Sequence, residues 1–470
     1  MRQRDLMKAV HVHVYVTLLV AGLSGSPRAA LAEEAAAAEG QASVLSLEEA
    51  LATAKQHNPD LAAMQARVDG ARTAIRKAWS YYLPQVSLGG SWTMNSTEAS
   101  LAFPNFEAGF SFTPDGSMVP NELMDMEIQK KHQLGARLEV QQPIFVAPLI
   151  PMIAQAGDGV KLAELGAETA TREILFGTFQ AYLFAAGLKE AINLGEEQVA
   201  LIQKHARSAE AALAVDMASE LQVLRAKIEV GKAEQELART RAAYDAARGG
   251  LATLLARKDI DFEVERPTLF EGDDPEVAGE LEALLERSRE LRPELESTRI
   301  AQDMGARGKQ AVWAKFLPTI GAGWTYTHAN VQGFSGENGT WALMAYASIP
   351  LYDGGLRYAE LKEADAKIRE AEAQARSMRL RVRREVRQAR LDIQSARANL
   401  AKAQEQVVLA RANWEAVEKA FAVGASSAIE LSDASTALRG AELMRISEEI
   451  NLALAQVSLR KAVGLSLIPR

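Results

Sequence analysis

Two long stretches of the chain repeat small or apolar residues in alternating steps of four and three. Between Leu356 and Val423 there is neither glycine nor proline, and residues that favour helix are abundant. Such steps place the apolar residues on one seam of a helix that packs as a left-handed coiled coil. This helix is predicted to be about 100 Å long. The seam consists of Val382, Val386, Ala389, Ile393, Ala396, Leu400, Ala403, Val407, Ala410, Trp414, Val417 and Phe421.

The same seam occurs 208 residues earlier, from Ile174 to Leu213. Two shorter helical segments, each about 50 Å long, are predicted to lie end to end beside each long helix. Each half of the chain is therefore predicted to form one long helix beside two stacked shorter ones. The shorter segments are residues 219–256 and 46–80 in the first half, and 427–462 and 282–315 in the second.

Four shorter segments alternate with period two instead, the fourth less cleanly because Met344 and Tyr346 fall on its second face. Period two over about nine residues predicts strands with one apolar and one polar face. That length also suits a strand that crosses a membrane, with aromatic side chains as girdles at its surfaces. A half-buried sheet in a soluble protein is the alternative. The strands are predicted near 86–94, 134–143, 319–328 and 341–350, and the aromatic candidates are Trp92, Trp324, Tyr326 and Trp341.

The sequence contains an internal duplication. Asn58-Pro59 aligns with Arg292-Pro293 at an offset of 234, and Ala214-Val215-Asp216 aligns with Ala422-Val423-Gly424 at 208. This drop in the offset places an insertion within residues 95–133 of the first copy. Its phenylalanines, Phe103, Phe106, Phe110 and Phe112, are available to pack it, and a mobile segment is the alternative. The predicted organisation is a first repeat (33–256, with a helical hairpin at 151–256), an acidic linker (257–281) and a second repeat (282–465, with a helical hairpin at 355–463).

The N-terminus predicts export. Basic residues in positions 1–8 precede an apolar stretch at 9–23, and Ala30-Leu31-Ala32 supplies the small residues that a signal peptidase reads. We expect residues 1–32 to be a signal peptide cleaved after Ala32. A membrane anchor is the alternative, but the apolar stretch at 9–23 is too short to span a bilayer core of about 30 Å comfortably.

Composition narrows the class of protein. The 470 residues carry a net charge of −8, and removal of four basic residues and one acidic residue with the signal peptide makes it −11. That charge argues against a nucleic-acid partner. A mean hydropathy of −0.11 argues against a bundle of transmembrane helices. The absence of cysteine excludes disulfides, thiolate metal sites, a cysteine nucleophile and a lipidated N-terminal cysteine.

Strands in a membrane require several copies of the chain. Four strands cannot close into a barrel, and open sheet edges do not occur in lipid. Three copies would supply twelve strands. They would also supply twelve helices around the axis, if each pair of stacked shorter helices is counted as one. Closure and the duplication predict such an assembly, but they do not give the number three.

The motifs that flank the long helices resemble one family. Pro350-Leu351-Tyr352-Asp353-Gly354-Gly355 leads into the second long helix, and Val423-Gly424 is followed by Ser426, Ser427, Glu430, Leu431 and Asp433-Ala434 at its turn. With Asn58-Pro59 and the Leu-Pro pairs before two strands, these residues resemble the TolC-like outer-membrane efflux family over the whole mature chain.

The resemblance implies a mainly α fold with a membrane β-barrel. A homotrimer would form a 12-strand β-barrel continued by a long coiled-coil α-barrel, in the outer membrane of a Gram-negative bacterium and across its periplasm. It would be the exit duct of a tripartite efflux or type I secretion system, passive and without a cofactor. Its implied partners are outer-membrane lipid, a periplasmic adaptor protein and an inner-membrane pump of the RND or ABC type.

The resemblance places the functional residues at the turns of the two helical hairpins. Three copies of an acidic residue around an axis would attract cations and repel anions at a constriction. The implied entrance and gating residues are Glu430, Asp433, Phe421 and Gln222. The implied adaptor contacts are Val423, Gly424, Ala425, Ser426, Val215, Asp216 and Met217.

Capping is an alternative role for one of these residues. Ser427 and Glu430 have the spacing of a capping box, as do Ser219 and Gln222. The positions of the family's polar closing latch hold Phe421, Ser426 and Gln222 here, so apolar closure by a ring of Phe421 is the expectation. Asp216 replaces the glycine of the second turn, and aspartate tolerates left-handed geometry better than most residues.

Other chemistry is not indicated. The mature chain's histidines have no zinc-ligand spacing, and there is no nucleophile–base constellation, so we expect neither a metal site nor an enzyme.

Two rival classes of protein remain. A periplasmic adaptor would have one helical hairpin flanked by lipoyl-like strand domains, and an exported structural coiled coil would have no period-two segments.

Overall fold

The computed structural model describes residues 43–216, 219–267, 276–277, 279–331 and 337–467. The chain divides into two units, residues 1–44 with 261–263, and residues 45–260 with 264–470. The described residues of the smaller unit belong mainly to two short paired strands, β1 (Ser43–Leu45) and β8 (Phe262–Val264). The predicted signal peptide lies outside the described residues.

The larger unit is mainly helical. Its helices are α1 (Leu47–His57), α2 (Pro59–Ser80), α3 (Leu149–Leu213), α4 (Glu220–Leu254), α5 (Leu281–Leu291), α6 (Pro293–Ala314), α7 (Leu356–Ala422) and α8 (Ala428–Val463). Its strands are β2 (Gln85–Met94), β3 (Ala99–Pro104), β4 (Phe110–Phe112), β5 (Met118–Pro120), β6 (Leu123–Gln129), β7 (His132–Val146), β9 (Thr319–Ala329) and β10 (Gly339–Ser348). Among the described residues, no helix is both long enough and apolar enough to cross a membrane.

The seam of both long helices is confirmed. Every predicted seam position in α3 and α7 is buried or half-buried. In α7 the seam residues from Val382 to Ala396 form one core with Leu459 and Val463 of α8. Full burial of such a side chain stabilises the fold by about 2 kcal/mol relative to exposure. A continuous apolar seam therefore holds each long helix against its partner.

The expectation of unbroken helices at 46–80 and 282–315 is wrong at one residue in each. Asn58 and Arg292 have extended backbone, with ψ angles of 125° and 114°, and each precedes a proline. The proline ring disfavours helical geometry in the residue before it. Each predicted helix is therefore two helices, with the proline at the first position of the second.

Both helix breaks are tied to the end of a returning helix. The Asn58 amide Nδ2 donates to the carbonyl oxygen of Leu254 at 2.9 Å, in the last turn of α4. Arg292 Nη1 donates to the carbonyl oxygen of Ala462 at 3.1 Å, in the last turn of α8. The last carbonyl groups of a helix have no partner within it, so each break satisfies one of them.

The two helical hairpins touch each other through α3 and α8. A Cβ atom at Gly187 would overlap the side chain of Ile450, so glycine permits a close approach of the two helices there. Closer to the hairpin turns, Gln198 Nε2 donates to Ser435 Oγ at 2.6 Å. These contacts place the two hairpins side by side.

The four predicted strands form one antiparallel sheet in the order β10-β9-β7-β2. Residues opposite each other share a face, and rows such as Val86, Val140, Trp324 and Leu343 cross the whole sheet on one side. This face is apolar and exposed, and Leu88 is 77% exposed. The other face carries Ser87, Glu139 and Thr325.

Two irregular positions in the sheet have local causes. Tyr346 lies on the polar face directly over Gly321, where a Cβ atom would overlap its ring. The Tyr346 side chain therefore fills the space that glycine leaves. Pro143 interrupts the register between β7 and β9, but β2 begins opposite Gln141, so no strand on that side needs the missing N–H.

The insertion forms two further hairpins between β2 and β7. Strand β3 pairs with β6, and β4 pairs with β5. Asn95, just after β2, bonds through its backbone N–H to the carbonyl oxygen of Lys131, just before β7. The phenylalanines pack this segment only in part: the rings of Phe106 and Phe110 contact each other, but Phe106 and Phe112 are 76% and 70% exposed.

Candidate functional site

The candidate site consists of the two turns that end the long helices. Helix α3 ends at Leu213 and is followed by the turn at 214–216, and α7 ends at Ala422 before the turn at 423–426. Met217 lies outside the described residues. Val215 and Val423 are both exposed, as are Gly424 and Ala425. The turns therefore present small and apolar surface.

Left-handed backbone geometry reverses the chain in both turns. Asp216 has a φ angle of 56° and Gly424 has 76°. In the second turn, Ala425 N–H donates to the carbonyl oxygen of Ala420 at 2.8 Å, which is a C-terminal cap of a helix that ends at glycine. Asp216 supplies the same geometry without a glycine, as its sequence position predicted.

Both predicted capping boxes are present. In the first turn, the N–H of Ser219 donates to Gln222 Oε1 at 2.9 Å, and the N–H of Gln222 donates to Ser219 Oγ at 3.3 Å. In the second, the N–H of Ser427 donates to Glu430 Oε2 at 2.7 Å, and the N–H of Glu430 donates to Ser427 Oγ at 3.3 Å. Each box satisfies otherwise unpaired donors at a helix start.

The Glu430 carboxylate has additional partners that Gln222 lacks in its box. The hydroxyl of Ser426 donates to Glu430 Oε2 at 2.7 Å, and that of Ser427 donates to it at 3.1 Å. The backbone N–H of Ser427 and these hydroxyls hold the pKa of Glu430 below its usual value. Glu430 is therefore ionised at neutral pH, and Ser426 is engaged within its own turn.

Asp433 and Phe421 differ in their surroundings. Asp433 is exposed one turn after Glu430. Phe421 is half-buried, and its ring meets that of His205 on α3 edge-on, with a centroid distance of 6.3 Å. The Phe421 ring thus connects the two hairpins of one chain.

His205 is a site residue that the sequence reasoning missed. Its Nε2 atom is buried without a hydrogen-bond partner among the described residues, and burial lowers its pKa. The sequence shows His205 one position before the seam residue Ala206, with no ligand spacing. Only the packing of the two hairpins against each other brings it to Phe421. Among the described residues there is no cluster of three metal-ligating side chains.

The family of the chain follows from its sequence. The model of the family described as outer membrane efflux protein matches residues 29–257 and 284–465, which is most of the chain. The chain therefore belongs to the outer membrane efflux protein family, and the resemblance inferred from its motifs is confirmed. No curated protein matches it in sequence.

Solved structures share the fold at low sequence identity. The outer membrane protein VceC from Vibrio cholerae is 19% identical, with a TM-score of 0.70 over 90% of this chain and 97% of that one. The CmeC outer membrane channel from Campylobacter jejuni is 16% identical, with a TM-score of 0.71 over 89% and 85%. The MtrE outer membrane channel from Neisseria gonorrhoeae is 17% identical, with a TM-score of 0.68 over 92% and 93%.

The comparisons also decide between classes of function. The family consists of outer membrane efflux proteins, and the neighbours in fold are outer membrane proteins and channels. The chain is not an enzyme. The two rival classes, a periplasmic adaptor and an exported structural coiled coil, do not fit this family.

Proposed function

We propose that the chain is the outer-membrane exit duct of a tripartite efflux or type I secretion system. It would work as a homotrimer and conduct substrates passively to the cell exterior. The observation that carries the proposal is the sheet of β2, β7, β9 and β10. One face of this sheet is apolar and exposed, and its edge strands β2 and β10 have no further strand partner among the described residues.

A sheet of this kind is complete only with other copies of the chain. Exposed apolar side chains match lipid, but lipid does not tolerate open sheet edges. Four strands are too few to close, because membrane barrels have about eight strands or more. Three copies, the number implied by the family resemblance, contribute twelve strands. The polar face with Glu139 and Thr325 would then line the pore.

The helices would continue the duct on the periplasmic side. In each copy the two hairpins lie side by side, and the sequence offsets support an origin by duplication, with repeats at 33–256 and 282–465. Six hairpins would enclose the channel below the barrel. The hairpin turns, at the ends of α3 and α7 away from the sheet, would form the entrance.

We assign the entrance charges to Glu430 and Asp433, and apolar closure to Phe421. Three copies of two carboxylates would favour cations at the constriction. Gln222 occupies the corresponding place in the first hairpin without a charge. The contact of Phe421 with His205 supports closure by packing rather than by a polar latch, because Ser426 is already bonded to Glu430.

The exposed turns would receive a periplasmic adaptor, which in turn recruits a pump of the RND or ABC type. The contact residues proposed from the resemblance are Val423, Gly424, Ala425, Ser426, Val215, Asp216 and Met217. A small apolar surface on an exposed turn is suited to packing against a helical partner. The Asp216 carboxylate makes the first turn chemically different from the second.

The channel is tested by its location and its conductance. We expect the protein in the outer-membrane fraction as an oligomer that dissociates only on heating, and we expect it to conduct ions in a planar bilayer. Recovery in the soluble periplasmic fraction alone would refute the proposal. Cross-linking of an Ala425→Cys variant to an adaptor tests the partner, and the absence of native cysteine removes background reactions.

The two roles of Glu430 are separable by one conservative substitution. Glu430→Gln keeps a side-chain oxygen for the cap, as Gln222 does in the first turn, and removes the charge. If the charge acts at the entrance, cation selectivity falls in this variant and in Asp433→Asn. Unchanged selectivity in both variants would limit Glu430 to capping and remove Asp433 from the entrance.

A further inference from the structure

The insertion between β2 and β7 forms a two-stranded ribbon with two unlike faces. Leu101 lies opposite Met126, and Phe103 lies opposite Met124, so these four apolar side chains share one face. On the other face, Ser100 lies opposite Glu127, Ala102 opposite Asp125 and Pro104 opposite Leu123, so the carboxylates of Asp125 and Glu127 lie on this face. We name the first set the apolar ribbon face.

The apolar character extends to the far end of the ribbon. Phe112 lies opposite Met118 in the β4–β5 pair, and the rings of Phe106 and Phe110 contact each other at a tilt, with a centroid distance of 5.6 Å. Phe106, Phe112 and Met118 are all exposed. Both hairpins of the insertion therefore expose apolar side chains.

No part of the same chain fully covers the apolar ribbon face among the described residues. Leu101 and Met124 are 45% and 55% exposed on the apolar ribbon face. A two-stranded ribbon in water is marginally stable at best and requires a further surface to cover its apolar side. Contiguous exposed apolar patches in stable proteins mark an interaction site.

Charge disfavours the lipid surface as the cover. Residues 95–131 carry six acidic side chains and two basic ones, and the basic pair, Lys130 and Lys131, lies at the base of the ribbon. An anionic ribbon is repelled by an anionic membrane surface. A protein partner that covers only the apolar ribbon face leaves Asp125 and Glu127 in water on the opposite face, where solvent screens their charge.

The position of the ribbon identifies the partner. The ribbon continues directly from β2, which is an edge strand of the four-stranded sheet. In the proposed assembly this edge pairs with β10 of a second copy, so the ribbon rises at the seam between copies. This step rests on the proposed function.

We propose that the apolar ribbon face packs against a second copy of this chain, with the ribbons of the assembly burying their apolar faces together at the outer end of the barrel. The acidic faces then point away from the cluster. The insertion thus contributes an interface between copies that the second half of the chain, which has a short connection between β9 and β10, does not have.

Single cysteines on the two faces test this packing in a protein that has no cysteine of its own. Leu101→Cys and Met124→Cys carry the thiol on the apolar ribbon face. Ala102→Cys and Asp125→Cys carry it one residue further along the same strands, on the opposite face. Each variant is treated in intact cells with a bifunctional maleimide and analysed on denaturing gels after heating.

We expect Leu101→Cys and Met124→Cys to form cross-linked dimers of the chain, because the single thiol of each copy allows one link, and we expect the two opposite-face variants to stay monomeric. Unheated samples report whether the copies assemble. If the oligomer is intact and neither apolar-face variant cross-links, the ribbon packing is refuted while the channel stands. If no oligomer forms in any variant or in the unmodified protein, both proposals fail.

Equal cross-linking of both faces would also refute the specific packing, because it would indicate ribbons that collide without a preferred face. If the apolar-face thiols instead react only with a different protein, or a fluorophore attached there is quenched by brominated lipid, the occupant is not a second copy. Either result overturns the inference.

Discussion

The two helix breaks of this protein do the same work with different chemistry. At the first break, the neutral amide of Asn58 caps α2 through Oδ1 and closes the end of α4 through Nδ2. At the second, the guanidinium of Arg292 bonds the carbonyl oxygen of Ala462, and it also pairs with Glu385 on α7 and Glu294 on α6 at 2.9 Å each. Arg292 is 8% exposed.

The comparison shows that a geometric role can be preserved while its energetics change. Each residue donates a hydrogen bond to a carbonyl group in the last turn of a returning helix. The two carbonyl groups belong to Leu254 and Ala462, which are 208 residues apart. The first break relies on hydrogen bonds of a neutral group, each worth about 1 kcal/mol. The second relies on a buried cation with two carboxylates, whose removal leaves uncompensated charges.

Removal of the Arg292 side chain is expected to have the largest effect. Arg292→Ala leaves Glu385, Glu294 and the carbonyl group of Ala462 without their donor, which costs about 3 kcal/mol. The loss appears as a lower thermal midpoint of the helical circular dichroism signal. Arg289→Ala is the matched control, because Arg289 is exposed and pairs only with Glu286 three residues away. Equal midpoints for the two variants would contradict the role of Arg292.

Substitution of Asn58 is expected to cost less and to separate two contributions. Asn58→Ala loses both the helix cap and the bond to Leu254, for about 2 kcal/mol. Asn58→Asp keeps the cap acceptor and loses only the donor, for about 1 kcal/mol. The same thermal midpoint measures both. If the Asp variant is as unstable as the Ala variant, the cap contributes nothing and the comparison of breaks fails.

The hairpin turns extend the comparison with a smaller effect. Gly424→Ala forces a Cβ atom into left-handed geometry and costs about 1 kcal/mol, although no neighbouring atom obstructs it. Gly424→Asp reproduces the first turn and is expected to cost less. Hydrogen exchange of the amides at 421–430 reports this local stability. Faster exchange in the Asp variant than in the Ala variant would show that Asp216 has no such preference.

The smallest effect is a difference in pH dependence between the two caps. Since folding lowers the pKa of Glu430, its contribution to stability is present above the ordinary glutamate pKa and is lost as the pH falls through the lowered value. Gln222 does not titrate, so the first cap does not change. We expect acid to lower the protection of amides, measured against their intrinsic exchange rate at each pH, in the second turn only, and Glu430→Gln to abolish the difference. Equal acid sensitivity of both turns would contradict this.

Local features of the fold could be predicted because their causes are local. The seam from Val382 to Phe421, the four strands and both capping boxes depend on periodicity and on short spacings that a single sequence displays. The proline that follows Asn58 and Arg292 also indicates a helix break at each residue. The predicted helices run through both positions because they do not take into account that proline disfavours helical geometry in the residue before it.

Contacts between distant segments could not be predicted in the same way. Three contacts join residues that no spacing relates: the ring contact of His205 with Phe421, the packing of Tyr346 over Gly321, and the hydrogen bond from Asn58 to Leu254. The exposure of Phe106 and Phe112 in the insertion has the same origin, because it depends on how the hairpins of the insertion pair and pack.

The sequence by itself determined the long coiled-coil helices, the four amphipathic strands, the caps of the turns and the family. Each of these depends on periodicity or on motifs of adjacent residues. Only the tertiary structure decided which carbonyl groups Asn58 and Arg292 close, how α3 meets α8, and which face of the ribbon is left apolar and exposed. These outcomes depend on the register and approach of elements far apart in the chain, and the free energy of such contacts exists only after those elements meet.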